Sequence, residues 1–208
     1  MADEENAKKL AELPGESYNF KSQDHWGPNG VPQYTSTLEN LAEHQLVGFL
    51  SLKVGAQVMY TKNNPNHGLV NGSRGVVIGF GPADEDWDDY DTQAKKWDGR
   101  NAVPIVKFDN GHVLAISSNY STIFVGNAQC HMTRRQIPLR LCWALTIHKA
   151  QGMSLTRAQV DVSNAFAEGQ VYVALSRLVS LNGLWLVGPM FSASNVKAHK
   201  SVIQFYSS

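Results

Sequence analysis

No stretch of about 18 consecutive apolar residues occurs in the 208-residue chain, so no segment reads as a membrane-spanning helix. The opening MADEENAKKLAELPGE is acidic and helix-like. It lacks the basic start and apolar centre of a secretory signal, and the arginines of a transit peptide. Cysteine is scarce: Cys130 and Cys142 lie far apart without metal-ligand spacing, which fits reduced thiols in an intracellular protein. The dipeptide Gly-Lys is absent, which excludes a Gly-x-x-x-x-Gly-Lys-Ser/Thr phosphate-cradling loop within these residues. Gly-x-Gly-x-x-Gly, His-Glu-x-x-His, Gly-x-Ser-x-Gly and Cys-x-x-Cys are missing as well. The acidic run at 84–91 has neither the glycine turn nor the terminal glutamate of a calcium loop. No nucleophile is marked beside His148. Neither a self-contained enzyme site nor a metal site is visible.

What is present is an evenly charged chain with an uneven distribution. Acidic and basic side chains number 18 each, for a formal net charge of zero. Residues 1–98 carry 15 acidic and 8 basic side chains, whereas residues 99–208 carry 3 acidic and 10 basic. A basic C-terminal half suits phosphates if its charges gather on one surface, and charges scattered over all faces would give the same count.

Along the chain, residues 3–13 predict a helix, with Leu10 and Leu13 spaced i, i+3 and Pro14-Gly15 as a stop. Residues 16–35 read as loop with at most one short strand, and Thr37 as the cap of a short helix, LENLAEHQ. LKVGAQVMYTKN (52–63) reads as a strand entering a loop. LVNGSRGVVIGFG (69–81) pairs an Asn-Gly turn with a Val-Val-Ile strand, and AVPIVKFDNGHVLAIS (102–117) is a hairpin closed by Asp-Asn-Gly. The run at 83–99 is too charged for a core and reads as an exposed excursion. Residues 69–138 therefore predict a small antiparallel β module. After it, LRLCWALTI reads as a strand buried on both faces, AQVDV (158–162) as a second strand and GLWLVG (183–188) as a third. AEGQVYVALSRL (167–178) and the tail around Val196, His199, Val202 and Phe205 have helical spacing. Buried strands alternating with helices predict an α/β sheet.

Two constellations carry chemistry. In TIHKAQGMSL, an extended backbone would set Thr146 and His148 on one side and Ile147 on the other. Thr, His and Lys149 are donors suited to phosphate oxygens, with the amide of Gln151 and the bare backbone of Gly152 beside them. A solvated strand end would leave the same residues exposed. In GQVYVALSR, Tyr172, Leu175 and Val179 would pack on the sheet, and Gln170 and Arg177 lie two helical turns apart. Arg177 could carry its planar fork to a phosphate, or sit at a helix C-terminus where the dipole favours it. Spacing does not choose between these.

The ordered segments LKVGAQVM, LVNGSRGVVIGF and IPLRLCWALTIHKAQGMSL, then VDVS, GQVYVALSR and SLNGL, closely resemble the C-terminal part of the PIF-type (petite integration frequency) DNA helicases. These are superfamily one, RecD-like, 5′-to-3′ motors. The resemblance covers nearly the whole chain. It implies an α/β fold, an incomplete RecA-like second motor domain of the P-loop NTPase type with an inserted SH3-like β-barrel. The first part of that domain would occupy 1–68, the insert 69–138, and the part bearing motifs V and VI 139–208. It further implies that Thr146, His148 and Lys149 face DNA, that Gln151 and Gly152 lie nearer the nucleotide, and that Arg177 is the arginine finger. Asn63, Asn71 and Gly72 would sit where relatives bring backbone and amides close to DNA. ATP and Mg2+ would belong to the full-length enzyme only, with none bound by this chain. Its implied partners are single-stranded DNA and the first RecA-like domain, its compartment the nucleus or the mitochondrion, and its processes DNA repair, recombination and telomere maintenance. Without the phosphate-cradling loop and the acidic magnesium ligand, the chain alone is expected to lack ATPase activity. The alternative is a stand-alone helicase-like protein acting as a nucleic-acid or protein binding module.

Overall fold

The computed structural model describes residues 2–26, 48–82, 102–125, 130–163, 168–188 and 196–206. The expected helix at LENLAEHQ and the charged excursion 83–99 lie outside them. The chain forms two compact units, Met1–Ala144 and Leu145–Ser208.

The first unit begins with α1 (Ala2–Glu12), whose acidic first turn of Asp3, Glu4 and Glu5 complements the helix dipole. Leu10 enters the core, and Lys53 Nζ donates to Leu13 O at 2.8 Å where the helix ends. Next come β1 (Tyr18–Lys21) and β2 (Gln23–Trp26). Two strands thus stand where loop with at most one short strand is expected. β1 pairs antiparallel with β3 (Phe49–Leu52) and β2 with β9 (Cys130–Gln136), partners too distant in sequence for a local reading to find.

Five antiparallel strands form the main sheet: β4 (Gln57–Tyr60), β5 (Arg74–Gly81), β6 (Val103–Phe108), β7 (Val113–Ala115) and β10 (Leu139–Leu141), in the order β10-β4-β5-β6-β7. The hairpin β6–β7 and the strand after Asn71-Gly72 match the sequence reading. A second sheet has the order β2-β9-β8, with β8 spanning Asn119–Val125. Leu52, Val58, Val77, Val106 and Leu139 are fully enclosed in a core shared by α1, the β1–β3 pair and the five-stranded sheet, each such burial contributing about 1.5–3 kcal/mol relative to exposure. Tyr18 stacks on Phe80 with ring centroids 3.8 Å apart, closing the core at β1.

The boundaries drawn at 68/69 and 138/139 fall inside one sheet, because β4 precedes the first and β10 follows the second. Among the described residues that sheet is open, ending at β10 and β7, so the inserted β-barrel is not seen closed. The stretch LRLCWALTI is also not one buried strand. Only Leu139–Leu141 is extended, pairing antiparallel with β4, and residues 140–145 are half-buried. Asn6 accounts for part of this. Its Nδ2 donates to Ala144 O and its Oδ1 accepts from Ala144 N, both at 2.9 Å, taking the backbone bonds a neighbouring strand would take. Cys142 is a free thiol here, and burial pushes its pKa up to about 11, so it stays protonated at neutral pH.

The second unit contains β11 (Ala158–Asp161) and β12 (Leu184–Val187), paired in parallel, with α2 (Gln170–Leu175) between them and α3 (Lys200–Tyr206) after them. The parallel pair with an intervening helix is the α/β pattern the sequence predicts. The described chain is therefore mixed α/β. Two details differ. Trp185 and Leu186 of β12 are exposed rather than buried, and α2 is shorter than the expected 167–178. Its buried face is Val171 and Ala174, one residue out of phase with the Tyr172, Leu175 and Val179 face expected to pack.

Candidate functional site

The segment TIHKAQGM is a helical turn, not a strand end. Ala150 N donates to Thr146 O at 3.0 Å, Gln151 N to His148 O at 3.3 Å and Met153 N to Ala150 O at 3.1 Å. Thr146 caps the turn, its Oγ1 accepting from Lys149 N at 3.4 Å. Extended alternation of Thr146 and His148 is thereby replaced by a turn that buries Ala150 and exposes Thr146, His148, Lys149, Gln151 and Gly152. Gly152 ends it at φ +83°, in the left-handed region where a side chain would be strained. A capped turn holds donors on a fixed backbone, so the five named positions are gathered in one exposed loop.

Arg177 follows directly in space. Leu155 N donates to Arg177 O at 2.8 Å and Val179 N to Leu155 O at 3.1 Å, a parallel bridge between Leu155 and Leu178. The chain leaving the turn is thus bonded to the chain leaving α2. The guanidinium folds back on its own helix end, Nε donating to Val173 O at 3.0 Å and Nη2 to Ser176 Oγ at 2.9 Å. This is the helix C-terminal placement that spacing had left open. Gln170 starts α2 and Arg177 lies beyond its end, so they do not share a continuous helix face.

Asn63, Asn71 and Gly72 meet in a separate place, in the first unit. Asn63 Oδ1 accepts from Asn71 N at 2.8 Å, which leaves its Nδ2 as the outward donor. Gly72 N donates to Tyr60 O at 2.8 Å, and its φ of 100° is the positive value an Asn-Gly turn requires. Between them, Asn64 and Leu69 bond reciprocally around the 3-10 turn Pro65–His67, and Asn110 Nδ2 donates to His67 O at 3.0 Å. The loop is held by its own backbone, with Asn63 and Asn71 exposed at its mouth. Among the described residues, no cluster of His, Cys, Asp and Glu could hold a metal.

Sequence reasoning missed Asn6, Ser176 and the Leu155–Leu178 bridge. Asn6 had a signal: it lies i, i+4 from Leu10, a polar residue on the apolar face of α1, where a buried amide needs partners. The bridge had none, because it joins residues far apart in sequence.

Comparison with known proteins bears on what this arrangement belongs to. A family model described as DNA helicase Pif1, 2B domain, matches residues 35–80. The ATP-dependent DNA helicase PIF1 of Rattus norvegicus is 39% identical over 202 residues, covering 97% of this chain and 28% of that protein. A crystal structure of Pif1 helicase from Candida albicans superposes with a TM-score of 0.74 at 36% identity, covering 99% of this chain and 47% of that one. Pif1 helicase from Bacteroides, in complex with ADP-AlF3 and ssDNA, superposes with a TM-score of 0.63 at 27% identity, over 99% and 42% of the two chains. The mixed α/β fold is thus similar to that of part of helicases of the RecA-like, superfamily-one class. Within that class the likeness is to the Pif1-type DNA helicases, and the chain spans about a quarter of the length of the curated relatives it matches.

Proposed function

We propose that this chain supplies, within a Pif1-type ATP-driven helicase, the loop that follows the DNA strand and the arginine that completes the nucleotide site. The observation that carries the reading is the bridge at Leu155 and Leu178, which ties the 146–152 turn to Arg177. A motor must couple strand contact to nucleotide state, and a backbone bond between the two segments gives that coupling a physical route. In this reading Thr146, His148 and Lys149 meet the DNA backbone, while Gln151 and Gly152 lie toward the nucleotide. Asn63, Asn71 and Gly72 form a further DNA-facing loop, and the strands around β5–β9 form the SH3-like insert.

Arg177 acts as the arginine finger. To reach a γ-phosphate its guanidinium exchanges Val173 O and Ser176 Oγ for phosphate oxygens. Those partly exposed bonds run from a cation to neutral oxygens and cost about 1.5–3 kcal/mol each to give up, whereas bidentate bonds to a phosphoryl group set opposite charges together and add a fixed fork geometry. ATP and Mg2+ bind in the cleft completed by the first RecA-like domain, which holds the phosphate-cradling loop that this sequence lacks. Alone, the chain hydrolyses no ATP.

The test is Arg177→Ala in the whole helicase. ATP hydrolysis should fall by about 10³-fold or more, as for loss of other arginine fingers, while affinity for single-stranded DNA stays within a few-fold. Equal loss of both would make Arg177 a DNA-facing or purely structural residue and would end the assignment.

A further inference from the structure

The way α2 ends decides where the Arg177 side chain rests. Ser176 N donates to Tyr172 O at 2.8 Å and Arg177 N to Ala174 O at 3.3 Å, so the last turn tightens. Val173 O is the carbonyl that Arg177 N would meet in a continuing helix. It takes side-chain donors in place of that amide: Ser176 Oγ at 3.1 Å and Arg177 Nε at 3.0 Å. A serine hydroxyl has one proton to give, and this one goes to Val173 O. Its lone pairs are left to accept, and Arg177 Nη2 donates to them at 2.9 Å. Carbonyl, hydroxyl and guanidinium thus close a triangle of three hydrogen bonds.

The engaged edge of the guanidinium is the one suited to phosphate. Nε and Nη2 form the side of the fork that binds two oxygens in parallel. Arg134 uses this same edge on a carboxylate, its Nε and Nη2 reaching the two oxygens of Asp24 at 2.7 Å each. At Arg177 the two oxygens are neutral, one from a carbonyl and one from a hydroxyl. They fill the places that two phosphoryl oxygens would take. The resting bonds and a bidentate phosphate bond therefore exclude one another on this edge. The backbone of the same residue is also engaged, because Leu155 N donates to Arg177 O at 2.8 Å. The chain leaving the 146–152 turn thus ends on the residue whose side chain is held back.

We propose that Ser176 is a positioning residue that keeps Arg177 withdrawn from the nucleotide, and that this hold limits hydrolysis until a single strand engages the 146–152 turn. The proposal rests on reading Arg177 as the arginine finger and names what regulates it. Release needs only rotation about the arginine side-chain bonds, in which Nη2 leaves Ser176 Oγ and Nε leaves Val173 O. A movement of the turn passes through Leu155 to Arg177 O and shifts the helix end that builds the cradle.

The experiment is steady-state ATP hydrolysis by the whole helicase, with and without oligothymidylate. Ser176→Ala removes one of the two resting bonds. Its DNA-independent kcat should rise about tenfold, the low end for a hydrogen bond to a charged group. KM for ATP should not change, and kcat at saturating DNA should match the parent, so that stimulation by DNA shrinks by the same factor. Ser176→Thr keeps the hydroxyl and should behave as the parent. Adding Ser176→Ala to Arg177→Ala should give no rise, because the hydroxyl acts only through the guanidinium. Damage to the fold would lower the rate, so it cannot imitate the expected rise. A DNA-independent rate in Ser176→Ala that is unchanged or lower overturns the proposal, and a lower one makes the hydroxyl a support for the working orientation. Loss of hydrolysis in Arg177→Ala without a rise in Ser176→Ala leaves the finger standing and removes the hold. Undiminished hydrolysis in Arg177→Ala overturns both.

Discussion

The two units differ in how they treat their apolar residues. In the first, Leu52, Val58, Val77, Val106 and Leu139 are fully enclosed in a core shared by the five-stranded sheet, the β1–β3 pair and α1. In the second, Tyr172, Leu181 and Trp185 are 68%, 83% and 54% exposed, and Phe205 and Tyr206 of α3 are exposed as well. An antiparallel sheet can cover one face and offer the other to water, so the first unit completes a core from its own strands. A parallel pair such as β11–β12 is stable only within a sheet covered on both faces. The second unit leaves Trp185 and Leu186 of that pair exposed among the described residues, along with apolar side chains of its helices and turn. Thus the part bearing Arg177 and the 146–152 turn is also the part with least core of its own.

The largest test of this contrast is a pair of leucines. Leu52→Ala should cost about 2–5 kcal/mol, the range for emptying a closed core. Leu181→Ala, at a site open to solvent, should stay within about 0.5 kcal/mol. Urea unfolding of both variants measures this. If Leu181→Ala proves as damaging as Leu52→Ala, something covers the second unit in solution and the contrast fails.

A smaller effect is expected at Asn6, which is 5% exposed and clamps the last residue of the first unit. Asn6→Ala leaves both backbone groups of Ala144 without their partner, costing about 1–3 kcal/mol. Asn6→Asp keeps an acceptor for Ala144 N, loses the donor to Ala144 O and buries a charge, so it should not rescue. Hydrogen exchange at the Ala144 amide is the direct readout. An unchanged rate in Asn6→Ala would mean that water replaces the clamp at no cost.

How much of this was legible follows from where the information lies. The helix at Ala2–Glu12, the hairpin at β6–β7 and the Asn71-Gly72 turn were written locally, in capping charge, alternation and turn chemistry. β1 and β2 were not, because Tyr18 finds Leu52 and Gln23 finds Arg135, and no short window contains both halves of either pair. The apolar run after Pro138 misleads, because periodicity cannot tell a strand buried on two faces from half-buried chain held by a side-chain amide. The candidate site was legible as a set of residues but not as a shape. Thr146 was named, yet its turn-capping role depends on a backbone conformation that apolar neighbours concealed.

That cap supplies the smallest predicted effect and the sharpest question about the second unit. The bond from Lys149 N to Thr146 Oγ1 is 3.4 Å long, well beyond the usual separation of about 2.9–3.0 Å. Thr146→Ala should therefore destabilise near the low end of cap losses, about 0.5 kcal/mol. Thr146→Ser keeps the hydroxyl and should restore that stability. The consequence for DNA is separable. If the hydroxyl meets a phosphate, Thr146→Ala weakens single-strand binding by more than its stability loss accounts for, and serine restores both. If the hydroxyl only caps, binding follows stability and changes by no more than about twofold. A chain in which stability moves and binding does not would retain the turn as architecture and remove Thr146 from the strand-facing set.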